Sequence, residues 1–308
     1  MEFRVCGVIG IKSIMANWNA DFSGQPKSIS TGEIFGSDKA LKYPMKKMWE
    51  NNGEPVLYIK SLKIEDKKGE IKIKPKSLKE RYEEIFKVKD LQNEKDNDKV
   101  LKNLFKAIDV KNFGATFAEA GNNISITGAV QIGQGFNKYD DTTIERQQIL
   151  SLFRDGTKDD ASAVSLGTKI ISSEAHYFYP FVINPSAYNN YIEMGATKGY
   201  TRDDYKKFKE VSLICVTAYN TNSKVGCENE FAIFVETQKD LYLPDLAQYI
   251  VFSKEKDFDI ITLKFEDLLN KLSDRILNIE IYYNPYKTKI EVNISKTKYF
   301  NIFTREEV

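Results

Sequence analysis

A chain of 308 residues with 45 basic and 44 acidic side chains, 42% apolar and 29% charged, can build one elaborated core or two modest ones, which excludes a disordered, collagenous or disulfide-framed protein. A formal charge of +1 excludes binding of nucleic acid by bulk electrostatics, so any such contact must come from a local patch. A single histidine, His176, and three dispersed cysteines, Cys6, Cys215 and Cys227, exclude a His-rich zinc site and a Cys-x-x-Cys pair; the thiols read as reduced structural groups of a cytoplasmic protein.

In chain order, the β-branched run Val5–Ile11 predicts a buried strand, too short to span a membrane and without the flanks of a signal peptide. Ala16 to Phe35, with Asn19-Ala20-Asp21-Phe22-Ser23-Gly24-Gln25-Pro26 at its centre, reads as a long loop, and loops of that length in compact domains are usually functional. Ser37 or Asp38 then caps a helix to about Asn51, with Leu41, Met45, Met48 and Trp49 at helical spacing and a kink expected at Pro44. Val56 to Ile64 alternates as a strand does. From Lys60 to Lys111 there are 16 basic and 11 acidic residues, and the centre, Tyr82 to Asp98, has the polar, charge-dense character of a solvated insertion or subdomain.

Ile124 to Ile132 predicts a strand, and Lys169 to Ile183 another. Gly133 to Gly167, including the polar stretch from Asp155 to Ser162, reads as a protruding loop with one short helix near Thr143 to Leu152. Thr201-Arg202-Asp203-Asp204 starts a second helix with acids at its positive end, and Phe231–Val235 is a buried strand. The tail adds strands at Ile260 to Lys264, Ile276 to Tyr283 and Lys289 to Ser295, with a helix at Glu266 to Asp274. The sum is an α+β chain on a common sheet with two long excursions.

Chemistry concentrates at Ser37 to Lys46. Lys39, Lys42 and Lys46 share one helical face, and the free amides of the helix start add donors suited to phosphate; the same spacing also fits an amphipathic surface helix with solvated lysines. Gly128, Gly133 and Gly135 fit neither dinucleotide nor P-loop spacing. Lys111 to Phe117 matches the aromatic signature of RNA-recognition strands only loosely, and core packing is the expected use of Phe113 and Phe117. His176 is expected to be a hydrogen-bonded core or rim residue. Asp21, Asp38, Asp140 and Asp141 have the chemistry for a divalent cation but no specific spacing.

Four blocks, Gly10 to Asp21, Ile34 to Tyr43, Asn123 to Gln131 and Leu166 to Lys169, together resemble the guide-RNA (crRNA)-binding backbone subunit of type I CRISPR Cascade complexes, subtype I-B, a Csh-type member of the RAMP superfamily. The resemblance implies an RNA-recognition-motif (ferredoxin-like) palm over residues 1–65 and 110–308, a fingers insertion over 66–109 and a thumb loop over 133–167. It implies copies stacked head to tail along one guide RNA in a helical filament, target DNA engaged through guide pairing, and other Cascade subunits with the effector nuclease-helicase as indirect partners. No catalytic residue, metal, cofactor or membrane contact is implied. The RNA-binding residues it implies are Asn17 and Asn19 in the first block, Ser37 with Lys39, Lys42 and Lys46, the loop residues Ser223 and Lys224, and Gln131, Gln134, Phe136 and Lys169 at the root of the thumb. Holding phosphates and 2′-hydroxyls leaves base edges free to pair. The rival expectation is a metal-dependent target-RNA endoribonuclease backbone of type III kind, using Asp21.

Overall fold

The computed structural model describes residues 1–67, 69–94, 96–150 and 166–308. A nine-stranded sheet runs through the molecule in the order Thr297–Asn301, Ile276–Tyr283, Cys227–Gln238, Phe3–Ala16, Leu166–Ile183, Gly135–Asn137 and Phe35–Gly36. Val130–Ile132 and Ile144–Leu150 also pair with Leu166–Ile183. The first strand lies at the centre, antiparallel to Leu166–Ile183 on one side and to Cys227–Gln238 on the other. The helix Asp38–Asn51 connects the first strand to Val130–Asn137, skipping over the long strand between them, and the helix Arg202–Ser212 connects Leu166–Ile183 to Cys227–Gln238 over the first strand. Two interleaved strand–helix–strand crossovers thus bury the middle of the sheet.

The alternation of the first strand decides what each face receives, since successive side chains point to opposite sides. Phe3, Val5, Ile9 and Ile11 pack with Leu41, Met45 and Trp49 of the first helix and Tyr205 and Phe208 of the second. Val8, on the other face, joins Phe178, Phe231 and Ile233 beneath Ile250, Phe252 and Ile261 of the three-stranded tail sheet Ile250–Lys254, Asp259–Leu263 and Thr288–Glu291. Both faces at the centre are therefore covered. Cys6, Cys215 and Cys227 are buried free thiols, and no helix among the described residues is long and apolar enough to cross a membrane.

Three expectations are corrected. Val56 to Ile64 does not form one strand: pairing begins only at Leu62, because the amides of Leu57 and Tyr58 are held by the Asp109 carboxylate. Ile124 to Ile132 breaks into Ile124–Thr127, which pairs with Gly114–Phe117, and Val130–Ile132 in the main sheet. The break falls at Gly128, where an added Cβ would lie 2.2 Å from the Phe113 carbonyl carbon. Around Thr143 to Leu152 the described part is not a helix but the strand Ile144–Leu150, drawn into an arm by pairing with Leu166–Ser172; the polar stretch from Asp155 to Ser162 lies outside the described residues. The helix Asp38–Asn51 contains Pro44 within its length, as the sequence placed it.

The insertion is more than a solvated face. Its hairpin, Leu62–Lys67 with Glu70–Pro75, exposes Leu62, Ile64, Ile71 and Ile73 on one side, while Tyr82, Leu91, Val100 and Leu104 from the following helical segments enter the main core.

Candidate functional site

The first strand delivers the chain at Ala16 into the loop of residues 17–36, and three segments converge on its start. Asn17 is buried and donates through Nδ2 to the carbonyls of Gly24 at 2.9 Å and Ile170 at 3.0 Å. Trp18 is buried and its Nε1 donates to Tyr179 Oη at 2.5 Å. Asn19 Oδ1 accepts from the Ser37 amide at 2.8 Å, tying the loop to the helix start. The last loop residue has to be small: a Cβ on Gly36 would lie 1.8 Å from Tyr179 Oη and 2.6 Å from Trp18 Nε1.

Ser37 caps the helix, its Oγ accepting from the Ala40 amide at 3.3 Å. The lysine face behind it divides. Lys39 is exposed and has no carboxylate partner among the described residues. Lys42 pairs with Asp38 at 2.8 Å and lies over the Phe113 ring at 5.2 Å. Lys46 turns inward, donating to the Tyr58 carbonyl at 3.2 Å with Asp109 at 3.8 Å. Burial pushes the Lys46 ammonium below its ordinary pKa, with Asp109 opposing.

The loop Thr221–Gly226 closes the other side. Ser223 is exposed, and its carbonyl accepts from the Asn17 amide at 3.0 Å. Lys224 donates to the carbonyls of Asn17, at 2.6 Å, and Trp18, with its ammonium 5.6 Å from the centre of the Trp18 ring. Burial lowers its pKa too. Met15 sits between these segments in left-handed backbone at φ 48°, an unusual conformation for a bulky side chain.

Asn17, Asn19, Ser37, Lys39, Ser223 and Lys224 are thus gathered at one end of the sheet, and Lys169 lies beside them on the long strand, next to the Ile170 carbonyl that Asn17 binds. Gln131, Gln134 and Phe136 are elsewhere. Gln131 stands opposite Val182, ten residues along the strand from Ser172, which faces Ala16; that is roughly 33 Å at ~3.3 Å per residue. Phe136 pairs with Phe178 and packs on Phe35, ring centres 5.9 Å apart. Gln131 and Gln134 are exposed and Phe136 half-buried.

Several of the insertion's lysines are paired with its own acids: Lys63 with Glu80, Lys74 with Glu65, Lys76 with Glu84, Lys79 with Asp90 and Lys102 with Asp98. Lys27, Lys39 and Lys169, by contrast, have no such partner among the described residues. Sequence spacing missed this sorting, as it missed Tyr58 and Asp109 as the seat of Lys46.

His176 is fully buried, as a core histidine should be. Nδ1 lies 2.8 Å from Glu230 and Nε2 3.1 Å from Glu174, and the ring stacks on Phe252 at 3.7 Å. With carboxylates at both nitrogens the ring must donate twice, as the imidazolium does. Among the described residues His176, Glu230 and Asp259 bring potential metal-ligand atoms within 4.8 Å of one another, but both ring nitrogens are already engaged and Lys254 stands 4.0 Å from Asp259. Asp21, Asp38, Asp140 and Asp141 form no such group among the described residues.

A family model described as CRISPR-associated protein Cas7 matches residues 4–273. A solved chain from a "CRISPR RNA-guided surveillance complex, pre-nicking" is similar in fold, with a TM-score of 0.55 at 14% identity, covering 97% of this chain and 96% of that one. A second, from a "CRISPR RNA-guided surveillance complex", has a TM-score of 0.48 at 12% identity over 92% and 91%. No curated protein matches the sequence.

Proposed function

Because the chain belongs to the Cas7 family of CRISPR-associated proteins, we propose that it is a non-catalytic, multicopy backbone subunit of a Cascade-like complex that holds guide RNA by its sugar–phosphate backbone and presents the bases for pairing with target DNA. The single observation that carries this is the convergence of Asn17, Asn19, Ser37, Lys39, Lys169, Ser223 and Lys224 on the end of the first strand. The groups offered there, ammonium, amide, hydroxyl and backbone N–H, suit phosphate and 2′-hydroxyl rather than base edges. Gln131, Gln134 and Phe136, roughly 33 Å or less along the same strand, mark a second point on an extended track.

On this reading the interleaved crossovers are a palm of the RNA-recognition-motif type, residues 66–109 the fingers and 133–167 the thumb, within subtype I-B. The tail sheet covers the central face on which such palms elsewhere stack bases, which supports a path for the RNA along the strand end over one across the sheet. Further copies stacked head to tail in an unclosed array multiply one modest patch along the guide. Other complex subunits and the effector nuclease-helicase complete the assembly in the cytoplasm.

Charge reversal tests the site. Lys39→Glu with Lys169→Glu is expected to weaken binding of a single-stranded RNA about tenfold or more at moderate salt and to flatten the slope of log affinity against log salt by roughly 0.7 for each phosphate no longer neutralised. The unfolding midpoint should not move, since neither lysine has an ion-pair partner among the described residues. Unchanged affinity and slope would place the RNA elsewhere.

A further inference from the structure

Phe22 is the most exposed large apolar side chain among the described residues, its ring wholly in solvent. Single exposed apolar groups are ordinary on surfaces, but the turn that carries this one is held by a hydrogen-bond network. Asp21 Oδ1 accepts from the Ser23 amide at 2.8 Å, the Ser23 hydroxyl at 2.8 Å and the Gln25 amide at 3.0 Å. The backbone closes the same turn, Asp21 N donating to Gln25 O at 2.8 Å and Gly24 N to Asp21 O at 3.2 Å. Behind the turn, Ala20 bridges Pro26, and Lys27 N donates to Asn19 O at 2.9 Å. The turn is anchored to the long strand by Asn17, whose one amide group reaches both the Gly24 and Ile170 carbonyls.

The segments tied to the turn point to what would cover the ring. Lys27 lies five residues on in the same loop, Lys169 adjoins the Ile170 anchor, and Lys39 follows the helix cap that Asn19 holds. All three lack a carboxylate partner among the described residues. An apolar protein groove would be served by an apolar surround with few charges; an aromatic ring on a turn tied to segments that carry unpaired lysines is the combination that takes single-stranded nucleic acid, phosphates on the cations and a base on the ring.

We infer that Phe22 is a stacking platform for one base of the bound RNA, held at its height by the Asp21 turn; this rests on the guide-RNA reading above. Stacking tolerates every base, which suits a protein that must accept any guide. Asp21 is on this account a positioning residue whose carboxylate oxygen serves the turn.

The test binds the full chain, at saturating protein, to single-stranded RNAs of one sequence carrying 2-aminopurine at successive positions. Wild type is expected to quench the probe at one or more positions. Phe22→Ala should restore fluorescence there several-fold and weaken affinity roughly 5- to 150-fold, the equivalent of ~1–3 kcal/mol per stacked base, with the unfolding midpoint unchanged. Phe22→Trp should keep the quench. Asp21→Asn retains an acceptor oxygen and should also keep it, whereas Asp21→Ala should relieve it with Phe22 still present. RNA bound by Phe22→Ala with the quenching pattern intact overturns the inference, and if that variant also loads fewer copies per RNA, the ring packs against a neighbouring protein instead. Wild type that binds no RNA under these conditions refutes the guide-RNA reading itself, and the platform with it.

Discussion

Replacing His176 by alanine is expected to cost ~3–5 kcal/mol of folding stability, read from urea unfolding at pH 7, because it strips the cation from between buried acids. His176 lies at the charged contact between the central sheet and the tail, with the Lys254–Glu174 pair beside it. Glu230 and Glu174 come from the sheet, Phe252 and Lys254 from the first tail strand and Asp259 from the second; Tyr139 meets the ring edge-on. Burial alone would lower the pKa of the imidazole, but the Glu230 charge and the hydrogen bonds to Glu174 and Glu230 outweigh it and hold it at about 9. The group is thus raised above its ordinary value of 6.5, so its contribution is complete below pH 6.5 and is lost as pH rises through about 9. Wild-type stability should fall across that window by roughly 3 kcal/mol, and the alanine variant should not show the fall. Glu174, held down to about 2 first by its bond to His176 and then by Lys254, adds stability present above pH 4.5 and lost as pH drops toward 2. A His176→Leu, Glu230→Met double variant should recover much of the loss, since replacing both partners leaves no unpaired charge of that pair. An alanine variant within 1 kcal/mol of wild type would mean that the imidazolium adds little to what the apolar contacts and the Lys254–Glu174 pair already hold.

Asp109→Ala is expected to cost a comparable ~3–4 kcal/mol, with the urea midpoint as the measure. The carboxylate is buried; it accepts from the amides of Leu57 at 2.8 Å and Tyr58 at 2.8 Å and faces Lys46 at 3.8 Å. Its removal leaves a buried and a half-buried donor unsatisfied, at up to ~1–3 kcal/mol each, and an ammonium without its countercharge. Tyr58, whose pKa is pushed up to about 12 by burial and then by Asp109, should titrate lower in the variant. Asp109→Asn, which keeps one acceptor oxygen, should lose less than Asp109→Ala. Equal losses in the two variants would show that the side chain fills space and satisfies no donor.

These two residues mark where the sequence could and could not be read. The β-branched run at Val5–Ile11 and the Ser37 and Thr201 caps with their helical spacing announce strand and helices directly, and the structure places them there. Such signals are local, set by alternation and capping within a few residues. Asp109 and Leu57 are 52 residues apart, and no local pattern in Val56 to Ile64 shows that its first amides bond to a carboxylate instead of a strand. The tail strand at Ile276 to Tyr283 was legible to the residue, while the covering of the main sheet, opposite the helices, by the separate three-stranded tail sheet was not, because a strand's alternation does not say which sheet it will join or face. At the candidate site, residue types were legible and their sorting was not. Lys39, Lys42 and Lys46 are equivalent by spacing, and only tertiary packing sends Lys46 against Tyr58 while leaving Lys39 open.

The most direct test of the account is to purify the full chain at moderate salt and analyse what accompanies it by absorbance at 260 and 280 nm, then by denaturing gel with and without ribonuclease, supplying a guide RNA if none copurifies. A periodic scaffold predicts bound RNA protected in fragments that lengthen by equal steps as copies are added. Protein that stays free of nucleic acid, even with guide supplied, would contradict it.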